Sequence, residues 1–191
     1  MKLLIISEAG LVGSENCKLF AEKGWKVISV DNYMEGKLFG AKGSTKQTMM
    51  AFLKDYNIEH YELDIRDESI IPLIKRVDAV IHSGTQPSHS KSIKIPMEDF
   101  QINAYGTLFL IEAWRNLNMN AVFVFCSTNK VYGDTFIFLL QKMGEKFRTS
   151  RSLSVNGFDE TLRMHRCMYT SFRISKIAAG LYTQEYAHYM V

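Results

Sequence analysis

The segment Tyr169–Lys176 reads YTSFRISK and contains residue types suited to acid–base chemistry. A tyrosine four positions before a lysine would share one helix face with it. The ammonium group would then lower the pKa of the phenol and prepare it for proton transfer. Phe172 occupies that position before Lys176, and its ring has no proton to transfer. The segment leaves open whether the chain is an enzyme, a former enzyme or an enzyme whose acid–base group lies elsewhere.

Two tyrosines are candidates to replace the missing phenol. Tyr169 lies seven positions before Lys176 on the same helix face, but about 10 Å away along the axis, which is too far for direct tuning. Tyr132 closely follows an apolar run and is the better placed of the two. A packing role for Tyr132 is the alternative.

A second set of residues has the spacing of a dinucleotide-binding site. Gly10 and Gly13 stand where the apolar run KLLII gives way to a helical pattern. Glycines there allow close approach of a diphosphate, which the helix N-terminus attracts. The full pattern has glycine at position 7, where this chain has Ser7, whose side chain is a disadvantage if the turn needs a positive φ. Glu8 adds a negative charge near the expected diphosphate.

Acidic residues follow the next two strand-like segments. Asp31 ends the second one, where a carboxylate accepts hydrogen bonds from an adenosine ribose and repels a 2′-phosphate, so it predicts NAD over NADP. Asp64 and Ile65 follow the third one, where an adenine would lie. The alternatives are a turn-forming aspartate and a helix cap. Together with the glycine pair, these positions predict a dinucleotide site.

Apolar runs and helical patterns alternate along the chain. We expect strands at 2–6, 26–30, 58–63, 78–83 and 121–127, and helices at 11–23, 45–56, 67–75, 97–118 and 168–189. The stretch DNYMEG reads as a turn, and 135–158 reads as irregular. Continuous apolar strands alternating with helices indicate an α/β fold, a Rossmann-type doubly wound parallel sheet of about five strands with helices on both faces. One domain is expected over 1–191.

The composition bounds the function classes. The chain has 191 residues, 47% hydrophobic and 23% charged, with a net charge of +3, which does not indicate nucleic-acid binding. Eight basic and three acidic residues fall within 135–176, which suits an anionic small ligand or a solvated basic surface. No apolar run is long enough to span a membrane. The three cysteines and the histidines lack metal-ligand spacing, so we expect no metal and a reducing cytoplasm.

Several stretches in order resemble the extended short-chain dehydrogenase/reductase family: EAGLVGS, VDN, ELDIRD, AVIHSGTQPSHS, INAYGTLFLIEA and STNKVYGD. Within it they are most similar to NAD-dependent nucleotide-sugar epimerases and dehydratases. GTQPSHS, STNKVYGD and GFDET resemble the CDP-paratose (tyvelose) 2-epimerase branch. The resemblance covers 1–189. It implies a Rossmann sheet, a bound NAD, a nucleotide-sugar substrate and transient oxidation of a sugar carbon by hydride transfer.

The resemblance also implies roles for individual residues. For NAD, it places the diphosphate at Gly10, Leu11, Val12 and Gly13, and the adenosine ribose at Asp31 and Asn32. The adenine would lie at Asp64 and Ile65. In the loop after the fourth strand, Ser83, Gly84 and Thr85 would line the cofactor. Asn103 would support the site from the long helix. Ser127 or Thr128 would bind the reacting sugar hydroxyl, and Lys176 the nicotinamide ribose.

Three departures from the family pattern bear on activity. Ser7 and Glu8 stand in the diphosphate loop, and Phe172 replaces the usual tyrosine. The chain stops at Val191, where family members continue into a substrate-binding domain. One hypothesis is a nucleotide-sugar epimerase or dehydratase-like enzyme. The others are a non-catalytic NAD-binding or interaction module and a fragment without an independent role. The resemblance also makes a homodimer through helices 97–118 and 168–189 an expectation.

Overall fold

Five segments form a parallel sheet. They are β1 (Lys2–Ile6), β2 (Lys26–Asp31), β3 (Glu59–Glu62), β4 (Ala79–His82) and β5 (Val122–Phe125). The strand order is β3-β2-β1-β4-β5, and all four neighbouring pairs are parallel. The order reverses direction next to β1, so a crevice opens at the carboxyl ends of β1 and its neighbours.

The computed structural model describes residues 1–7, 9–132, 140–143, 146–149, 164 and 170–189. The chain divides into two compact units, Met1–Ser127 with Thr170–Val191, and Thr128–Tyr169. The first unit contains the parallel sheet. In the second, a short 3₁₀ turn (Asn129–Val131) precedes an antiparallel pair, β6 (Leu140–Met143) and β7 (Lys146–Thr149). A single domain over 1–191 stays a prediction.

Helices follow most strands of the first unit. They are α1 (Leu11–Glu22), α2 (Met34–Phe39), α3 (Lys46–Asp55), α4 (Ile71–Ile74), α5 (His89–Ser92), α6 (Pro96–Phe100), α7 (Gly106–Leu117) and α8 (Ser171–Tyr189). Short 3₁₀ turns cover Ala41–Gly43 and Glu68–Ile70. A π turn (Gln101–Tyr105) joins α6 to α7 without a break in the helical path.

Apolar side chains cover both faces of the sheet because successive strand residues point to opposite sides. One face packs against α4, α7 and α8 through Leu4, Ile6, Ile28, Val30, Val80, Leu110, Ile111 and Tyr186. The other packs against α1 and α3 through Leu3, Ile5, Val27, Ile81, Cys17 and Leu53. Each such burial stabilises the fold by about 1.5–3 kcal/mol before the entropy of ordering is subtracted.

The expected α/β class and the five parallel strands are confirmed. The predicted helix at 67–75 is a 3₁₀ turn followed by the short helix α4, whose first turn contains a proline. The reading of DNYMEG as a turn was wrong, because α2 begins within it at Met34. The irregular reading of 135–158 was wrong where residues are described, because β6 and β7 pair there. The last helix begins at Ser171, and 168–169 lie outside the described residues.

Gly106, at the start of α7, has no room for a side chain. A Cβ there would lie 2.4 Å from Ile65 Cδ1. Gly106→Ala should therefore lower the free energy of unfolding by about 1 kcal/mol, because Ile65 must rotate away. Urea denaturation measures this loss, which should vanish when Ile65 is also alanine.

Gly180→Ala in α8 is the matched control. Its nearest contact would be Phe125 Cε1 at 3.9 Å, an ordinary packing distance. This substitution should stabilise the chain by about 0.5–1 kcal/mol, because alanine loses less entropy than glycine in a helix. Equal effects of the two substitutions would contradict the packing described for Ile65.

Candidate functional site

The turn after β1 depends on a serine in a left-handed conformation. Ser7 has φ 71, and its backbone N–H donates to Val30 O at 2.7 Å. A residue other than glycine pays about 1–2 kcal/mol for this conformation. The prediction that a side chain at position 7 meets a positive φ is confirmed. The turn directs the chain across the carboxyl end of β2 and into α1.

The N-terminus of α1 is open to an anion. Gly10 caps the helix without a side-chain hydrogen bond, and the first turn contains no acidic residue. Among the described residues outside its chain neighbours, the atom nearest to a Cβ at Gly10 would be Ser7 O at 3.8 Å, so their packing does not require glycine there. Leu11 and Val12 are exposed and Gly13 is buried. Glu8 lies outside the described residues.

Asp31 joins the turns that follow β1 and β2. Its carboxylate is buried and accepts hydrogen bonds from the backbone N–H groups of Tyr33 at 2.6 Å and Ala9 at 3.2 Å. Burial raises the pKa of this carboxyl, and the two N–H bonds oppose that rise. Asp31 is therefore a positioning residue for both turns, whatever ligand it meets.

Asp64 carries a charge that its neighbours neutralise. Arg66 binds it through two nitrogens, Nε to Oδ1 at 2.6 Å and Nη2 to Oδ2 at 2.7 Å. Asn32 Nδ2 donates to the same Oδ2 at 2.8 Å. Burial opposes ionisation of Asp64, but the bonds from Arg66 and Asn32 outweigh it and lower the pKa. Asn32, predicted at the ribose, is thus hydrogen-bonded to Asp64, predicted at the adenine.

An open cleft lies at the carboxyl ends of β1 to β4. Its volume is about 380 Å³ when the solvent space at its open side is included. Six of the sequence-predicted cofactor residues line it: Asp31, Asn32, Asp64, Ile65, Gly84 and Thr85. Ser7 and Glu35 also line it. Carboxyl ends of parallel strands are where doubly wound sheets bind ligands. The glycines of α1 and Lys176 are not among the cleft-lining residues.

The loop after β4 is fixed by its own polar groups. Ser83 Oγ donates to Ile6 O at 2.8 Å, which joins the loop to the end of β1. A Cβ on Gly84 would lie 3.1 Å from His82 Cε1, so a side chain there would require the His82 ring to shift by a few tenths of an ångström. Thr85 Oγ1 donates to Asn103 Oδ1 at 2.9 Å. The predicted loop residues therefore lie together at the sheet edge.

His82 is buried and neutral beneath this loop. The Thr107 hydroxyl donates to Asn103 O at 2.6 Å, so His82 Nε2 must donate to Thr107 Oγ1, 3.0 Å away. His82 Nδ1 then accepts the Gly84 N–H at 3.2 Å. Burial, followed by the charge of Lys176, lowers the pKa of His82 to about 3. Its imidazole is a structural group rather than a proton carrier.

Asn103 connects three parts of the site from within the π turn. Its Oδ1 accepts the Gln86 N–H at 2.9 Å as well as the Thr85 hydroxyl. Its Nδ2 donates to Asp99 Oδ1 at 3.2 Å and to Ser175 Oγ at 3.0 Å. Asp99 Oδ2 in turn accepts from Ser175 Oγ at 2.7 Å. The predicted supporting role of Asn103 thus has a structural basis, because its side chain joins the β4 loop to α8.

Helix α8 brings Lys176 and Phe172 to the carboxyl edge of the sheet. Lys176 is 3% exposed, and its Nζ donates to Cys126 O at 2.9 Å and lies 4.3 Å from the Phe125 ring centre. Burial lowers the pKa of Lys176 to about 8. Phe172 is also buried, so the shared helix face predicted from their spacing is confirmed.

The residues predicted at the sugar are divided between the two units. Ser127 is exposed and ends the segment after β5 in the first unit. Thr128 and Tyr132 belong to the second unit. Thr128 Oγ1 accepts the Lys130 N–H at 3.3 Å and caps a short turn. Tyr169 lies outside the described residues.

Sequence reasoning missed four polar residues of this site: Gln86, Asp99, Ser175 and His89. Asp99 and Asn103 are four apart in a helical pattern, which is a detectable signal for a shared face. The contacts of the other three residues link segments far apart in sequence. Across the described ranges, no group of three or more metal-ligating side chains lies together. In those same ranges, no helix is long and apolar enough to cross a membrane.

The sheet order, the crevice beside β1 and the glycine-capped helix after it define a Rossmann-type dinucleotide-binding fold. The model of the NAD dependent epimerase/dehydratase family matches residues 3–188, so the chain belongs to that family. The expected family and its cofactor class are therefore confirmed.

Curated relatives support the same conclusion. CDP-paratose 2-epimerase of Salmonella typhi is 33% identical over 194 residues, which cover 98% of this chain and 53% of that protein. UDP-glucose 4-epimerase of Yersinia pestis is 31% identical over 137 residues, or 70% of this chain and 38% of that protein. The chain thus spans about half or less of the length of these relatives.

Solved structures share the fold. UDP-glucose 4-epimerase of Thermotoga maritima, solved with UDP-glucose, has a TM-score of 0.70 at 25% identity. The match covers 100% of this chain and 52% of that enzyme's chain. A mutant of UDP-glucuronic acid 4-epimerase from Bacillus cereus, solved with NAD and a fluorinated UDP-glucuronic acid, has a TM-score of 0.76 at 20% identity. That match covers 100% of this chain and 53% of the mutant enzyme.

Lys176→Met removes a buried charge and keeps most of the side-chain volume. The free energy of unfolding at neutral pH should rise by about 1–3 kcal/mol, because folding disfavours the charged amine. The gain should shrink as the pH rises from 8 to 10.5. In the folded protein the amine has a pKa of about 8, so over this range it loses its proton before the amine of the unfolded chain does. Urea denaturation across this range measures it.

The exposed Lys54 of α3 supplies the control for this experiment. Lys54→Met should leave the free energy of unfolding within about 0.5 kcal/mol at every pH. A difference between the wild type and Lys176→Met that widens as the pH rises would contradict the buried position of the amine.

Proposed function

We propose that the chain binds NAD along the carboxyl edge of its sheet and uses it to oxidise and reduce a nucleotide-linked sugar. The observation that carries the proposal is the cleft in which Asp31, Asn32, Asp64, Ile65, Gly84 and Thr85 meet. These residues follow three different strands. The strand-end positions of Asp31, Asp64 and Ile65 predict a dinucleotide, and the family resemblance implies the same role for Asn32, Gly84 and Thr85. Bound NAD would supply the electron acceptor for the sugar carbon.

The residues present fit the cofactor. The first N–H groups of α1 have no partner within the helix, and Gly10 at its N-cap provides no side-chain hydrogen bond, so they suit diphosphate oxygens. Gly10 to Gly13 would line that diphosphate. Arg66 neutralises Asp64, which leaves Asp31 and Glu35 as the acids that would oppose a 2′-phosphate. The adenosine ribose would lie at Asp31 and Asn32, and the adenine at Asp64 and Ile65.

At the other end, Lys176 would bind the nicotinamide ribose. Among the described residues, its Nζ donates to Cys126 O, and an ammonium group has three donors, so it can also donate to ribose hydroxyls. Ser127 or Thr128 would bind the sugar hydroxyl that reacts. The relatives named above act on CDP-linked and UDP-linked sugars, which supports a nucleotide-sugar substrate for this chain.

Gly10→Ala separates cofactor binding from folding. Within the described ranges, and apart from its chain neighbours, the new methyl group meets no atom closer than 3.8 Å, so stability should change by less than about 1 kcal/mol. The same methyl group obstructs the diphosphate, so the Kd for NAD should rise about tenfold or more. Titration calorimetry with NAD measures this change.

The same titration tests cofactor choice. The wild type should bind NADP about tenfold or more weakly than NAD, because carboxylates repel the 2′-phosphate. Gly180→Ala serves as the glycine control and should bind NAD as the wild type does. Unchanged NAD binding by Gly10→Ala would place the diphosphate elsewhere, and tighter binding of NADP would refute the assignment of the acids.

A second candidate function is a non-catalytic NAD-binding or interaction module. The observation that favours it is Phe172, a buried aromatic side chain at the position where a tyrosine would transfer protons. In its NAD-binding form, this second candidate shares its cofactor with the first. They differ in whether reduced cofactor forms when a nucleotide-sugar is added, which absorbance of the reduced nicotinamide reports directly.

We also propose a homodimer through 97–118 and 168–189. Ile174 and Leu181 are seven apart on α8 and both are exposed, as Leu117 is on α7. Residues seven apart share a helix face, so they form an apolar stripe that a second copy would cover.

Leu181→Glu should convert the dimer to a monomer, because the carboxylate would be buried at the interface without a partner. Size-exclusion chromatography with light scattering measures the mass. Leu11→Glu, on the exposed start of α1, is the control and should remain dimeric. A monomeric wild type would refute the proposal.

A reducing, cytoplasmic location is a further proposal. Cys17 is buried in the core, and Cys126 is a half-buried free thiol. Burial raises the pKa of Cys126, so its thiol stays protonated at neutral pH. Both properties suit a compartment in which thiols remain reduced.

A further inference from the structure

The catalytic end of the proposed site lacks the phenol that its helix face would be expected to carry. Phe172 has no exchangeable proton, and Lys176 Nζ is engaged by Cys126 O at the position proposed for the ribose. Oxidation of a sugar alcohol releases the hydroxyl proton, which needs an acceptor within hydrogen-bond reach. A titratable side chain in contact with Phe172 would stand where that phenol is expected.

His89 lies against the ring of Phe172. The two ring centres are 4.3 Å apart with an interplanar angle of 56°. His89 is half-buried, so part of its imidazole faces the surface. We propose that His89 is the acid–base residue of this site and takes the place of the phenol that Phe172 lacks. The inference rests on the proposed oxidation of a nucleotide-linked sugar.

Asp99 and His82, two other titratable groups in the described part of the first unit, are less suited to carry a proton. Asp99 is fully buried, and its carboxylate accepts bonds from Ser175, Gln86 and Asn103. His82 is sealed beneath the β4 loop with both ring nitrogens bonded. The imidazole of His89 combines partial exposure with contact to Phe172, which neither of them has.

The surrounding structure fixes where His89 lies. It begins α5, and the preceding Ser88 caps that helix by accepting the Lys91 N–H. Gln86 bonds to both the N–H and the C=O of Ser88 and also donates to Asp99 Oδ1 at 3.0 Å. The Asn103 network therefore extends to α5. The carboxylate of Asp99 also attracts a protonated His89 electrostatically.

The proposed step balances in protons and electrons. The sugar O–H bond breaks and its proton forms a bond to a ring nitrogen of His89. The C–H bond breaks and its hydrogen leaves with the electron pair to NAD, so the alcohol becomes a ketone. The reverse step returns the electron pair and hydrogen to carbon, and His89 returns the proton to oxygen.

The test loads the chain with NAD and follows absorbance of reduced nicotinamide after mixing with UDP-glucose or, separately, CDP-glucose. His89→Gln should slow its formation by about 10²–10⁴-fold. Titration calorimetry should find the Kd for NAD within about twofold of the wild type, because His89 acts on the sugar. His188→Gln, at the exposed end of α8, is the control and should keep the wild-type rate.

A rescue experiment distinguishes proton transfer from a structural role. His89→Gln combined with Phe172→Tyr places a phenol four residues before Lys176. This double variant should regain much of the lost rate, with its pH–rate limb at higher pH than in the wild type, because a phenol keeps its proton to higher pH than an imidazole. A packing role for His89 would produce neither result.

Three outcomes would overturn the inference. One is a wild-type rate in His89→Gln, and another is a double variant that stays as slow as His89→Gln while it unfolds at the wild-type urea concentration. The third is a wild type that binds NAD but forms no reduced cofactor with either sugar, which leaves the NAD-binding part of the proposed function standing. A wild type that fails to bind NAD refutes the proposed function itself.

Discussion

The hydrogen bonds of Asn103 hold the site in one arrangement. A buried amide must satisfy both its oxygen and its nitrogen, and this one does so across three separate segments: the β4 loop, Asp99 in α6 and Ser175 in α8. Ser175 precedes Lys176, so the network sets where the buried amine meets the sheet edge. The π turn matters because it places Asn103 where all three segments are within reach.

The same edge of the sheet gathers groups whose charges disfavour folding. Lys176 is buried without a carboxylate among the partners described above, and Asp31 is buried with backbone N–H groups as its main partners. Ser7 adds backbone strain. Such features are expected where a ligand, rather than the folded chain alone, completes the interactions. The core beneath them is ordinary and apolar, and it supplies the stability that these groups reduce.

Strand positions and the cleft residues followed from the sequence because both depend on local pattern. Apolar runs mark β1 and β2. Asp31 ends β2 and Asp64 follows β3, and the ends of parallel strands lie at one edge of the sheet. The helix at Met34 and the pairing of β6 with β7 did not follow, because tertiary context decides short polar segments. Nor did the contact of His89 with Phe172, which joins residues more than eighty positions apart in the sequence.

A crystal structure of the chain with NAD tests the central claim most directly, which is that the cleft and α8 form one cofactor site. The account predicts adenosine in the cleft beside Asp31 and Asp64, diphosphate at the N-terminus of α1, and nicotinamide ribose in hydrogen-bond contact with Lys176 Nζ. A dinucleotide bound away from the carboxyl edge of the sheet, or one that leaves Lys176 without contact, would contradict it.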